Sequence, residues 1–169
     1  LALPCSPEKS KRSPQPESGV CDPSKLKETN MKCQDVMTDN PICCLPDDNV
    51  GQAARTMRRE RVASIPVVTD ELQKELIGVI TDRDLAYKVV GESRDAIRTR
   101  VYDVMTRAVV ACRDEDDVIT ALLAMEEHQI RRIPVVDYSG RLVGLISEAD
   151  IAIRVPPTMQ LVRSLGQAA

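Results

Sequence analysis

The chain predicts an α+β fold built from two copies of one β-α-β-β-α unit, packed against each other about a pseudo-two-fold axis. Three observations carry that reading. A nine-residue stretch occurs twice, as L-I-G-V-I-T-D-R-D from Leu76 to Asp84 and as L-V-G-L-I-S-E-A-D from Leu142 to Asp150. The residues ahead of it repeat too, at constant spacing. A unit of about fifty residues with this little apolar surface is marginal alone, so two copies gain by sharing a face.

The elements follow in order. Residues 1 to about 24 are rich in Pro, Ser, Lys and Glu and read as a flexible tail or linker. Lys25 to Cys33 suits a short helix or an arm. Val36-Met37-Thr38 then opens the first unit and returns as Val104-Met105-Thr106, an offset of 106 − 38 = 68. Short apolar strands are expected at Ile42 to Leu45 and at Val109 to Cys112. Acidic helix-start signals follow, Asp47-Asp48 and Asp114-Glu115-Asp116. An amphipathic helix comes next, with Val50, Ala54 and Met57 matched by Val118, Leu122 and Met125. Its first copy ends on Arg58, Arg59 and Arg61, which suits the helix dipole.

Ile65-Pro66-Val67-Val68 and Ile133-Pro134-Val135-Val136 are strands, each leading through a turn into the repeated stretch. There Gly78 matches Gly144 at an offset of 66, so the first copy carries two more residues in the polar loop Thr69 to Glu75. Closing helices run from Asp82 to about Val90 and from Glu148 to about Arg154, the second stopped by Pro156-Pro157. The chain therefore divides into a tail over 1–30, a first repeat over 31–91, a linker over 92–103, a second repeat over 104–156 and a C-terminal tail over 157–169.

Composition narrows the function. There is no Phe or Trp, and Tyr87, Tyr102 and Tyr138 are the only aromatics, so the core is aliphatic. That disfavours a reader of single-stranded nucleic acid, which needs stacking platforms. A net charge of −3 with scattered Lys and Arg disfavours a duplex-binding surface. No stretch approaches the length of a membrane helix, and the first residues lack the pattern of a signal peptide. The six cysteines show no C-x-x-C spacing, and His128, expected at an exposed helix end, is the lone histidine. Zinc bound through the N-terminal cysteines is a minor alternative. Apolar neighbours around Cys43, Cys44 and Cys112 point to free thiols in the core and a reducing, cytoplasmic setting.

The repeated stretch carries the chemistry. In each copy a strand ends in a hydroxyl residue, Thr81 or Ser147, three residues before an aspartate, Asp84 or Asp150. The hydroxyl caps a helix, and the aspartate lies in the first helical turn, where negative charge is favoured. A carboxylate beside a hydroxyl at this junction suits a sugar diol, with backbone N–H groups near enough to meet a phosphate. The plainer reading is a capped helix alone.

Taken together, V-M-T, I-P-V-V and G-h-h-[ST]-x-x-D, in order and duplicated between Val36 and about Val155, resemble the CBS (cystathionine-β-synthase) domain family. The resemblance implies a regulatory module with two clefts for adenosine-containing ligands: AMP, ADP, ATP or S-adenosylmethionine. It implies that Asp84 and Asp150 hold ribose hydroxyls, with Thr81 and Ser147 beside them. Each cleft borrows from the other repeat: Val110, Ala111, Arg131 and Arg132 for Asp84, and Thr38, Ile42, Cys43, Ala63 and Ser64 for Asp150. With Arg83 near the first motif and Glu148 in the second, the arginines mark the Asp84 cleft as the one expected to take phosphate.

The resemblance also implies a disc-like homodimer; the aliphatic, aromatic-poor helices make Met57, Met125 and the helices after Asp82 and Glu148 the candidates for its surface. No separate cofactor, nucleic acid or membrane is expected. The competing readings are a structural dimerisation module with empty clefts and a regulatory appendage of an enzyme or transporter. No nucleophile-and-base set supports catalysis by the chain itself.

Overall fold

The computed structural model describes residues 31–156. The expected tail, the arm before Met31, Cys5, Cys21 and the segment after Pro156 lie outside the described residues. Helix α1 covers Cys33–Val36 and strand β1 Thr38–Asp39. Helix α2 covers Val50–Glu60, β2 Ser64–Val68 and β3 Leu76–Thr81. Helix α3 begins at Asp82–Asp84 and continues as a π-helical stretch over Leu85–Val90. Helix α4 covers Val101–Val104 and β4 Cys112–Arg113. Helix α5 covers Val118–Glu127, β5 Arg132–Val136, β6 Leu142–Ser147 and α6 Glu148–Arg154. The mixed α+β architecture with duplicated units is thus as the sequence predicts.

Each unit is an antiparallel hairpin backed by helices. Strands β2 and β3 pair from Ser64 with Thr81 to Val68 with Leu76; β5 and β6 pair from Arg132 with Ser147 to Val136 with Leu142. Both hairpins shift register at the same place, after Val67 and after Val135. The inward residues Ile65, Val67 and Ile80, and their copies Ile133, Val135 and Ile146, are all at most 1% exposed. Burying six β-branched side chains of this size contributes roughly 1.5–3 kcal/mol each, which is why the I-P-V-V pattern anchors both cores.

The flanking strands are shorter than expected and stay with the hairpin of their own unit. Only Cys44 of the predicted Ile42–Leu45 strand bridges to Val67, in parallel, and its counterpart β4 starts at Cys112 rather than Val109. Pro41 and Pro46 bracket the first of these segments, and neither can donate to a ladder. The antiparallel partner of each hairpin comes from the other repeat. Thr38 and Asp39 pair with Leu145 and Gly144 of β6, and Thr106 bridges to Val79 of β3.

The leading helices cross over in the same way. Cys33 and Val36 of α1 are buried in one core with Val118, Ile133, Ile146 and Ile151. Val101 and Val104 of α4 are buried in the other with Val50, Ile65, Ile80 and Val89. Backbone bonds tie down both crossings. Val50 N donates to Thr99 O and Val101 N to Asp48 O, while Val118 N donates to Met31 O and Cys33 N to Asp116 O. The end of the predicted linker is therefore core.

The exchange also explains the repeated glycine. Met105 lies over Gly78 and Met37 over Gly144, where a Cβ would strike the methionine side chain. The two hairpin turns meet as well, through Leu76 N to Gly140 O and Leu142 N to Lys74 O.

Three details differ from the pattern read in the sequence. The helix caps are Asn49 and Asp117, one or two residues beyond the acidic signals. Asp48 and Asp116 instead accept the backbone N–H of Leu45 and Arg113, closing the turns that lead into the helices. Cys44 and Cys112 are buried, but Cys43 is only partly so, because it alternates to the outer side. Met57 and Met125 are 6% and 5% exposed, packed inward in their own cores, and are not available to a dimer surface.

Candidate functional site

Both repeated motifs fold as reciprocal caps. Thr81 Oγ1 accepts from Asp84 N at 3.1 Å, and Asp84 Oδ2 accepts from Thr81 N at 2.9 Å and from Thr81 Oγ1 at 2.7 Å. Ser147 and Asp150 repeat the arrangement, with Ser147 N donating to Asp150 Oδ2 at 2.9 Å and the Ser147 hydroxyl donating to the same oxygen. Such a box satisfies free N–H groups at the helix start and fixes the carboxylate's orientation. The capped-helix reading and the ligand reading are thus not alternatives, since the cap leaves Oδ1 for other partners.

Those partners come from across the pseudo-two-fold. Thr106 Oγ1 donates to Asp84 Oδ1 at 3.2 Å, and Thr38 Oγ1 donates to Asp150 Oδ1 at 3.4 Å. Each motif aspartate is met by the V-M-T threonine of the opposite repeat. Lys88, four residues after Asp84, lies 2.6 Å from Asp84 Oδ1 and donates to Val104 O at 2.7 Å. Arg154, four residues after Asp150, donates to Val36 O and Met37 O, both at 2.7 Å. A basic residue at the same place in each closing helix thus pins the turn of the other repeat.

Asp84 is 7% exposed, the one buried charged side chain among the described residues. Burial pushes its carboxyl up, but hydrogen bonds from Lys88, the Thr81 hydroxyl and the Thr81 backbone outweigh that and hold it below the usual carboxylate range.

The other predicted residues are distributed as follows. Ala63 O accepts from Asp82 N at 2.9 Å, and Ser64 pairs with Thr81, so both sit beside the first motif in its own hairpin. Arg131 O accepts from Glu148 N at 3.1 Å and Arg132 pairs with Ser147, which places the arginines beside the second motif in the same sense. Arg131 and Arg83 are exposed and Arg132 is half-buried. Ile42 is 44% exposed, and Val110 packs half-buried against the second core with Ala111 exposed next to it. His128 caps α5 and is exposed. A cavity of about 260 Å³ touches Arg131 and Glu148 on the α5–α6 side, but neither aspartate lines it.

Sequence reasoning passed over Thr106, Lys88 and Arg154. The signals were present: Thr106 is the copy of Thr38, and both basic residues stand at the i+4 spacing that pairs with an acid.

Two strand-to-helix caps, each completed by a threonine of the other copy, define a tandem repeat module whose halves share their motifs. The chain belongs to the CBS domain family, whose model matches residues 33–91 and 101–156. It is 34% identical over 120 residues to the CBS domain-containing protein YhcV of Bacillus subtilis, covering 71% of this chain and 82% of that one. It is 33% identical over 123 residues to an inosine-5'-monophosphate dehydrogenase of Methanocaldococcus jannaschii. That match covers 73% of this chain but only 23% of the enzyme. Among solved structures, CBSX2 in complex with AMP superposes with a TM-score of 0.61 at 26% identity, over 80% of this chain and 96% of that one. No helix among the described residues is long and apolar enough to cross a membrane.

Proposed function

We propose that the pair is a non-catalytic regulatory module that binds an adenosine-containing ligand, AMP, ADP, ATP or S-adenosylmethionine, between its two repeats. The observation that carries the reading is the cross-repeat contact at each motif. A ligand that bonds to Asp84 or Asp150 competes with Thr106 or Thr38, so its arrival is felt by both repeats at once. The AMP complex of CBSX2 supports the ligand class. Arg131 and Arg132, beside the second motif at the start of β5, suit a phosphate. The match to part of a dehydrogenase supports a role in regulating an enzyme, on the same polypeptide or as a partner.

The module acts as a homodimer in this reading. Tyr87, Val90 and Ile153, on the closing helices, are 72%, 76% and 83% exposed, an apolar set suited to a second copy of the chain. Buried thiols at Cys33, Cys44 and Cys112 suit a reducing, cytoplasmic setting.

The test is calorimetric titration of the full chain with each of the four ligands and with adenosine. Saturable binding of at least one is expected, and Arg131→Ala with Arg132→Ala should weaken nucleotide roughly tenfold or more, about 1.4 kcal/mol, while sparing adenosine. No saturable binding by any of them refutes the ligand reading and leaves a purely structural module.

A further inference from the structure

The two motifs share one design but differ at a single oxygen. Each aspartate commits Oδ2 to its cap. At Asp84, Oδ1 also carries two donors, Lys88 Nζ at 2.6 Å and Thr106 Oγ1 at 3.2 Å. A carboxylate offers about four lone-pair sites, and here all four are engaged. Lys88 is held from its other side by Val104 O, so it is wedged between the first motif and the turn of the second repeat.

At Asp150 the equivalent residue is Arg154, and its geometry is different. Both carbonyls it serves, Val36 O and Met37 O, draw the guanidinium outward, leaving Nη2 3.9 Å from Asp150 Oδ1. Thr38 reaches that oxygen at 3.4 Å. Neither approach is the short contact of a charge-assisted hydrogen bond. The Asp150 side chain is 19% exposed against 8% for Asp84. A ribose diol must place two O–H groups on a carboxylate at short range. At Asp150 it displaces long contacts; at Asp84 it must break a short, part-buried ion pair.

We propose that Lys88 is a latch that reserves Asp84 for joining the two repeats, so that the adenosyl ligand is taken by the Asp150 motif alone. This rests on the ligand reading above and reverses the preference for the Asp84 cleft that the arginines suggested. Lys88 is a specificity-determining residue here: it decides which of two like motifs is open.

The experiment is AMP titration of the full-length protein by calorimetry, with stoichiometry as the readout. The wild type is expected to bind one equivalent per chain and Asp150→Ala none. Lys88→Met, which keeps an unbranched apolar stem, is expected to bind two. Two equivalents in the wild type, or one retained in Asp150→Ala, overturns the latch, and the second of these arms stands even if Lys88→Met fails to fold. A folded Lys88→Met that still binds one equivalent also overturns it. Absence of binding of AMP, ADP, ATP and S-adenosylmethionine to the wild type and both variants overturns the ligand reading itself.

Discussion

Replacing Gly144 by alanine tests the exchange of strands between repeats. A Cβ at Gly144 would lie 2.7 Å from Met37 Cγ and 2.9 Å from Met37 Cβ, besides overlapping the sulfur. A thioether can swing aside, but the Met37 Cβ moves only with its backbone. That backbone is held by Met37 N to Cys33 O at 2.9 Å, by Arg154 Nη1 to Met37 O at 2.7 Å, and by the β1–β6 pairing that follows. At Gly78 the geometry is more forgiving. The new Cβ meets Met105 Sδ at 2.7 Å, Met105 Cγ at 3.3 Å and Thr106 O at 3.2 Å, mostly the movable end of a side chain.

Overpacking a closed site costs roughly 1–3 kcal/mol. Gly144→Ala should fall at the upper end and Gly78→Ala near the lower. For a chain of this size each kcal/mol lowers Tm by about 2–4 °C. Urea denaturation of both variants, with Met37→Ala and Met105→Ala added to each, separates the causes. Met105→Ala removes the atoms that Gly78→Ala strikes, so that double variant should be more stable than the sum of the singles predicts. Met37→Ala keeps its Cβ and should rescue Gly144→Ala little. If Gly144→Ala lies within about 0.5 kcal/mol of wild type, the usual range of a neutral surface change, β1 is not locked against β6 and the exchange is wrong.

Three further outcomes are expected. Because the Asp84 carboxyl is depressed in the folded state, its contribution is fully present above the ordinary carboxylate range and is lost as pH falls through the lower folded value. Asp84→Asn should therefore lower stability at neutral pH and flatten the acid limb, and an unchanged acid limb in a denaturation series would discount the Lys88 pair. Burial pushes the Cys44 thiol up to about 12 and raises Cys43 less while leaving it part-exposed. Brief alkylation with peptide mapping should accordingly label Cys43 well before Cys44 or Cys112, and equal rates would contradict the packing. Light scattering should give a dimeric mass that Ile153→Glu reduces; a monomeric wild type at tens of micromolar, well above a micromolar Kd, would remove the proposed role of the closing helices.

The parts legible in the sequence were those with a period or a cap. I-P-V-V is an unbroken apolar run of strand-forming residues, as a strand buried on both faces shows, and Thr81 with Asp84 and Ser147 with Asp150 carry the spacing of a capping box, so hairpins and closing helices were readable from local pattern alone. The exchange was not. Helices α1 and α4 are four residues each, too short to show a helical period, and nothing local records that Val36 is buried beside Ile146 rather than Ile80. The π-helical stretch after Asp84 has no mark in composition either. At the site the aspartates and Thr38 were legible, whereas the unequal hold on Asp84 and Asp150 depends on how close Lys88 and Arg154, each bonded to carbonyls of the other repeat, come to their aspartates, 2.6 Å against 3.9 Å, which only three-dimensional placement decides.

The crossed leading helices set an order for synthesis and folding. The core around Ile65 and Ile80 draws on residues from Cys44 to Met105, one continuous length of chain. The other needs Cys33 and Val36 to wait for Cys112 through Val155. Closing that longer loop costs entropy before its contacts repay it. The emerging chain thus completes its first core from newly made residues while α1, already made, stays unsheltered. In refolding followed by pulsed hydrogen exchange, amides of β2 and β3 should gain protection before Met37 does. A newborn chain of this kind carries Cys33 and Val36 uncovered until the residues from Cys112 to Val155 are made, an interval in which a chaperone or a neighbouring copy can bind them.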